Sequence, residues 1–340
     1  MLKKLVKTVW LFLKQRNKRH YIHSCLSFLK VSLLLFTIKR TKKKVVAICL
    51  IEHIGDIIAN EPIAREARRQ NPDATIIWFV RKPFVEILKY NPFIDRIITV
   101  HCLTTWILVK RRQKFGALYE MHFKGRFCPK CMIYLEKDNC NDEIKGINYY
   151  NFGGLLKAAC LHNKLPVLND TPKLYIPQKA IDSLSKKLAI KHYIVVHCRS
   201  NEAIRDWEDL KWLDLMEQIM IKYRMPVIEI GLKGGLASKN PLYLNYCGKL
   251  ELMETAELIR NAIMFCGVDS APAHMANAAE TPGVILLGEY FGMKNYNSYT
   301  GNYGNKIKCR LVYSDTFVKD LPVAKVMENI NDLFLELEPL

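Results

Sequence analysis

From Lys44 onward, short continuous apolar runs alternate with amphipathic segments of helical spacing, and this alternation constrains the fold more than any other property of the chain. Val45–Ile51, Thr75–Val80, Ile94–Val100 and Ala117–Phe123 read as strands, and Ile57–Arg69, Phe84–Tyr90 and Leu103–Lys114 as helices. Asn71-Pro72 and Asn91-Pro92 stop two of these helices. Later in the chain, strands Tyr193–His197, Pro226–Ile230, Ala262–Gly267 and Val284–Leu287 alternate with helices Leu210–Tyr223, Met253–Asn261 and Ser270–Ala279, and Val323–Leu337 reads as a final helix. Strands that are apolar throughout are buried on both faces, so the pattern predicts an α/β protein of parallel, doubly wound sheets. No periodicity assigns Gly125–Asn169.

The body of about 296 residues is too long for one core. Asn169-Asp170-Thr171-Pro172 marks a linker. The expected organisation is a leader at 1–44, domains at 45–172 and 173–320, and a C-terminal helix at 321–340. Two such domains would place a cleft between the carboxyl ends of two sheets, where ligands bind. The chain has neither a G-x-G-x-x-G after its first strand nor a G-x-x-x-x-G-K-[ST], which lowers nicotinamide enzymes and P-loop NTPases in rank.

The net charge of +18 belongs to the leader. Residues 1–44 hold 13 Lys and Arg and no Asp or Glu, whereas the remainder carries 38 basic and 33 acidic residues. Leu2, Leu5, Val6, Val9 and Leu13 recur at helical spacing among lysines, as in a basic amphipathic helix. A second apolar stretch, Tyr21 to Ile38, is interrupted by Lys30, and its longest uncharged piece is only Val31 to Ile38. That favours lying in the interface of an anionic membrane over spanning it. Packing on the body and nucleic-acid binding are the alternatives, and the near-neutral body argues against the latter. The 11 scattered cysteines point to reduced thiols in a cytoplasmic protein. Cys128 and Cys131 form a lone C-x-x-C, with too few well-spaced ligands to predict a metal site.

Three stretches can carry chemistry. Asp56, in His53-Ile54-Gly55-Asp56, follows a strand and opens a helix, so it either caps that helix or presents a general base, with Gly55 permitting an unusual backbone turn. In Asp269-Ser270-Ala271-Pro272-Ala273-His274, a strand ends and a proline starts a helix whose first amides can hold an anion. Arg205, before Asp206-Trp207, is either a surface residue or a cation for a leaving diphosphate.

Together these stretches resemble glycosyltransferase family 9, the lipopolysaccharide heptosyltransferase group. The likeness runs over about 45–335 through Ile54-Gly55-Asp56-Ile57, Glu61-Pro62, Asn71-Pro72-Asp73-Ala74-Thr75, Asn91-Pro92-Phe93-Ile94-Asp95, Gly248-Lys249-Leu250-Glu251-Leu252 and Val268-Asp269-Ser270-Ala271-Pro272-Ala273-His274. The resemblance implies a GT-B fold of two facing Rossmann-like domains. It implies inverting, metal-independent transfer of heptose or another hexose-like sugar, with no cofactor, from a nucleotide sugar to a lipid-linked envelope glycan. By the same resemblance Asp56 is the catalytic base, and Arg205, Asp269, Ser270, Ala271 and His274 hold the donor. Such an enzyme would work at the cytoplasmic face of the membrane, attached through residues 1–44. The chain departs from the family at Ala271, where Gly is usual, and in Gly231-Leu232-Lys233-Gly234, which lacks the carboxylate that holds ribose; Glu229 precedes that glycine. These departures leave a second reading, a catalytically silent GT-B protein that binds a glycan or a partner at the membrane.

Overall fold

The computed structural model describes residues 18–136, 141, 143–290 and 292–337. The amphipathic segment expected over Leu2 to Leu13 lies outside them. The chain divides into two compact units. One comprises residues up to His53, Ile63–Phe152 and Lys157–Leu168; the other comprises Ile54–Pro62, Gly153–Leu156 and Asn169–Leu340.

The first unit is built on four parallel strands, β1 (Val45–Cys49), β2 (Thr75–Val80), β3 (Arg96–Thr99) and β4 (Ala117–Glu120), in the order β3-β2-β1-β4. Every residue of β1 is buried, as its unbroken apolar run requires of a central parallel strand. The unassigned stretch after Gly125 contains a small antiparallel hairpin, β5 (Phe127–Cys128) with β6 (Ile133–Tyr134), and a helix, Leu155–His162.

A 22-residue helix, Lys18–Lys39, precedes β1 and packs against the helix Leu103–Arg112. Tyr21, Val31 and Leu35 enter the core beside Trp106 and Phe79. Ile22, Leu26, Leu29, Leu33 and Phe36, spaced three and four residues apart, form an exposed apolar stripe. By length and composition the helix is apolar enough to cross a membrane. Its buried inner face nevertheless makes it part of this unit.

The second unit holds six parallel strands: β7 (Ile194–His197), β8 (Val227–Glu229), β9 (Tyr243–Asn245), β10 (Met264–Val268), β11 (Gly283–Leu287) and β12 (Cys309–Tyr313). Their order is β12-β11-β10-β7-β8-β9. The chain builds outward from β7 in one direction, then returns to β10 and builds the other way. The carboxyl ends of β7 and β10 therefore flank the switch point, where a doubly wound sheet leaves a crevice for a ligand.

One expected helix divides. Ile57–Arg69 is two helices, Ile54–Ala59 and Pro62–Gln70. The Asn60 and Glu61 amides close the first turn back onto Asp56 and Ile58, and Pro62, which lacks an N–H, starts the second. Between them Glu61 is tied to the second unit, accepting from the Lys173 amide at 3.0 Å and the Tyr175 hydroxyl at 3.1 Å.

The two faces of the Lys18–Lys39 helix should respond differently to truncation. Leu35→Ala opens a cavity at a fully buried site and should cost about 2–5 kcal/mol in chemical denaturation. Leu33→Ala, on the exposed stripe, should stay within roughly 0.5 kcal/mol. Equal effects would contradict the packing described.

Candidate active site at the switch point of the second sheet

The site is built on two helix starts. The helix Ala271–Ala278 follows β10 with Ser270 at its N-cap and Pro272 in its first turn. Its ladder begins with the Ser270 carbonyl accepting from His274, so the preceding amides lie at the positive end of the helix. The helix Ile54–Ala59 packs against it.

The fit between these helices is close. A Cβ placed on Gly55 would lie 2.6 Å from Cδ2 of His274. The sequence suggested that Gly55 serves a turn, but the unusual backbone falls two residues earlier, at His53 with φ of 67°. Gly55 is needed because the His274 ring occupies the place of its side chain.

Asp56 sits in the first turn of its helix. Its charge, and that of Asp269, raise the basicity of His274, but burial dominates and holds the imidazole below its ordinary pKa. His274 is 5% exposed, its ring lies tilted against that of Tyr299 with centroids 4.6 Å apart, and its Nδ1 has no hydrogen-bond partner among the described residues. The Tyr299 hydroxyl donates to Asp269 at 2.6 Å. Arg205 ends a single 3-10 turn, Ala203–Arg205, with Nη1 3.7 Å from Asp269 and its guanidinium 4.8 Å from the Tyr290 ring. Arg205, Asp269, Gly288, Tyr290 and Met293 line one small pocket.

Ser270 does not cap its own helix. Its hydroxyl donates to the Val268 carbonyl at 3.1 Å and lies 3.0 Å from Nδ1 of His197, the last residue of β7. With the serine proton committed to Val268, His197 is the donor. The switch point is thus bridged by a histidine–serine pair. Asp56, Arg205, Asp269, Ser270, Ala271 and His274 all fall in the second unit.

Residues 231–315 match the model of glycosyltransferase family 9 (heptosyltransferase). A lipopolysaccharide heptosyltransferase 3 of Escherichia coli K12 is 27% identical over 122 residues, 33% of this chain and 34% of that protein. The chain spans about a third of the length of the curated relatives it matches first. Among solved structures, the glycosyl transferase family 9 protein of Veillonella parvula superposes with a TM-score of 0.64 at 14% identity, covering 86% of this chain and 97% of that one. The E. coli ADP-heptose lps heptosyltransferase II gives 0.63 at 15% identity, covering 87% and 99%. The chain is a relative of glycosyltransferase family 9. Its α/β architecture of parallel sheets is the GT-B fold of that family.

Against that family pattern, Glu229 is already engaged. It is buried, and Oε2 accepts from the Leu236 amide at 2.8 Å and the Tyr243 hydroxyl at 2.6 Å. The carboxylate holds the 231–236 loop in shape. Leu232 at the tip of that loop is 86% exposed. The resemblance did not mark His197, Tyr290 or Tyr299. A polar residue ending an apolar run was the available signal for His197; the two tyrosines lie where no periodicity guides assignment.

Burial pushes the His197 imidazole down to about 4. Between about pH 6.5 and 4 the unfolded chain therefore binds a proton that the folded chain excludes, and stability falls as the pH drops through that window. The loss attributable to His197 should be about 3 kcal/mol. His197→Gln should flatten the dependence of unfolding free energy on pH between these limits. An unchanged slope would remove His197 as its cause.

Proposed function

We propose that the chain is an inverting, metal-independent glycosyltransferase that moves a sugar from a nucleotide-sugar donor to a lipopolysaccharide or similar envelope glycan. The observation that carries the reading is the pairing of a carboxylate, Asp56, with a cationic cradle at the start of the Ala271–Ala278 helix, both bearing on His274 in one unit. The donor diphosphate lies against the helix start at Ser270 and Ala271 and against Arg205. Asp56 accepts the proton of the acceptor hydroxyl while that oxygen bonds to the anomeric carbon. The bond from that carbon to the phosphate oxygen breaks in the same displacement, which inverts the centre. The electron pair leaves with the diphosphate, whose charge Arg205 and the helix amides receive. Arg205 supplies positive charge where a metal ion would otherwise be needed. The likeness to the E. coli ADP-heptose lps heptosyltransferase II makes ADP-heptose the first donor to test.

Asp56→Ala should lower turnover by about 10²–10⁴-fold with donor affinity little changed, because the base acts on the acceptor in the transition state. Arg205→Ala should weaken donor binding and turnover together, since it meets charge already present in the ground state. Near-normal transfer by Asp56→Ala would overturn the assignment of the base. A glycan-binding protein without activity would bind the donor and leave it intact, so donor cleavage by purified protein separates the two readings.

The same proposal places the enzyme at the inner face of the membrane. The exposed stripe of Ile22, Leu26, Leu29, Leu33 and Phe36 supplies apolar area, and Arg19, Lys30, Arg40, Lys42, Lys43 and Lys44 surround it with positive charge. Full-length protein carrying Leu29→Glu and Leu33→Glu should lose at least about tenfold in partitioning to anionic vesicles. Leu335→Glu, exposed on the Val323–Leu337 helix, should not. Equal sedimentation of all three proteins would rule out the stripe as the attachment surface.

A further inference from the structure

We infer that Cys102, Cys128 and Cys131 form a structural site for a thiophilic divalent cation, Zn²⁺ by its chemistry. The sequence offered only the C-x-x-C pair; the fold adds a third thiol from the residue before the Leu103–Arg112 helix. All three side chains are buried and their sulfur atoms lie within 4.8 Å of one another. Cys102 and Cys131 are 3.9 Å apart. Four ligands held tetrahedrally at the usual Zn–S distance of about 2.3 Å have neighbouring sulfurs about 3.8 Å apart. A disulfide needs about 2.05 Å and would leave one thiol over.

Two hydroxyls complete the shell. Ser24 Oγ, from the Lys18–Lys39 helix, lies 3.0 Å from the Cys102 sulfur and 3.4 Å from that of Cys131. Thr104 Oγ1 is buried and faces the Cys128 and Cys131 sulfurs. A neutral thiol satisfies a buried hydroxyl poorly, whereas a metal-bound thiolate satisfies it well. Ser24, or a water it holds, takes the fourth position.

The backbone has the corresponding form. Cys128 ends β5 and Cys131 precedes β6; the Met132 amide donates to the Cys128 carbonyl at 2.8 Å, and Met132 itself has φ of 54°. A hairpin of two-residue strands with a left-handed methionine has little stability of its own. Binding an ion would staple it to both helices, converting binding free energy into folding free energy. A second buried group of possible ligands, Cys49, Glu120 and His122, differs in kind. His122 Nε2 accepts from the Ile51 amide, its Nδ1 pairs with Glu120 at 2.9 Å, and Glu120 also accepts from Trp106 and Lys110. That network is already satisfied.

The site lies in the first unit and shares no residue with the candidate active site. Full-length protein purified without added metal should contain one tightly held Zn²⁺ per chain by elemental analysis. Cys102→Ser, and Cys128→Ser with Cys131→Ser, should each lose it, while Cys247→Ser retains it. After chelation, Co²⁺ should give the intense visible bands of a tetrahedral thiolate complex, weakened in Cys102→Ser. Should those variants fail to fold, the wild-type metal content and Co²⁺ spectrum still decide. A metal-free wild type that gives no such bands, or bands unaffected by Cys102→Ser, overturns the site. Intact transferase activity in a metal-free wild type would separate that failure from any failure of the proposed reaction.

Discussion

The contact between Gly55 and the ring of His274 holds the candidate site together. The chain leaves β1 through a left-handed residue at His53, and within two residues meets an imidazole where a side chain would otherwise stand. A helix of six residues is too short to persist by its own hydrogen bonds. It is fixed by packing on Ala271–Ala278 and, through Glu61, by the amide of Lys173 and the hydroxyl of Tyr175. Asp56 owes its place to this anchoring. The segment that carries it belongs to the second unit although β1, which precedes it, belongs to the first.

Much of the architecture was legible because parallel strands buried on both faces must be apolar throughout. The reading of Thr75–Val80 and Val323–Leu337 coincides with the strand and helix found there. What escaped has identifiable causes. β9 has three residues, all only partly buried, so no apolar run announces it. β12 is an edge strand of mixed burial. The break at Asn60 and Glu61 hides inside a continuous helical period, and only Pro62 betrays it. The site was legible as motifs but not as geometry: no spacing in the sequence tells that Ser270 turns from its helix to His197, or that Glu229 is spent on the 231–236 loop. Cys102 stands 26 residues before Cys128, and nothing local pairs them.

In the proposed membrane attachment, the basic leader and the apolar helix would divide one task between electrostatics and hydrophobic area. Long-range attraction to an anionic surface is screened within about 8 Å at physiological salt, so charge would bring the chain near but not hold it. Apolar area would hold it, but on Lys18–Lys39 part of that area is committed to the core beside Trp106. The inner face ties the helix to the unit, and the outer stripe remains for another phase. Lys30, exposed on the outside, is placed where a helix lying in an interface can keep its ammonium in water.

The His274 ring is under opposing electrostatic demands. Two carboxylates, Asp269 and Asp56, favour an imidazolium, and burial opposes it and prevails. The ring fills the space beside Gly55. Its Nδ1, without a hydrogen-bond partner among the described residues, would be available to a ligand in the proposed reaction. In the proposed reaction Arg205, 3.7 Å from Asp269, would supply charge for the leaving group, so that this role and the removal of the acceptor proton would fall to separate residues. Neither role would then depend on protonating the group that performs the other.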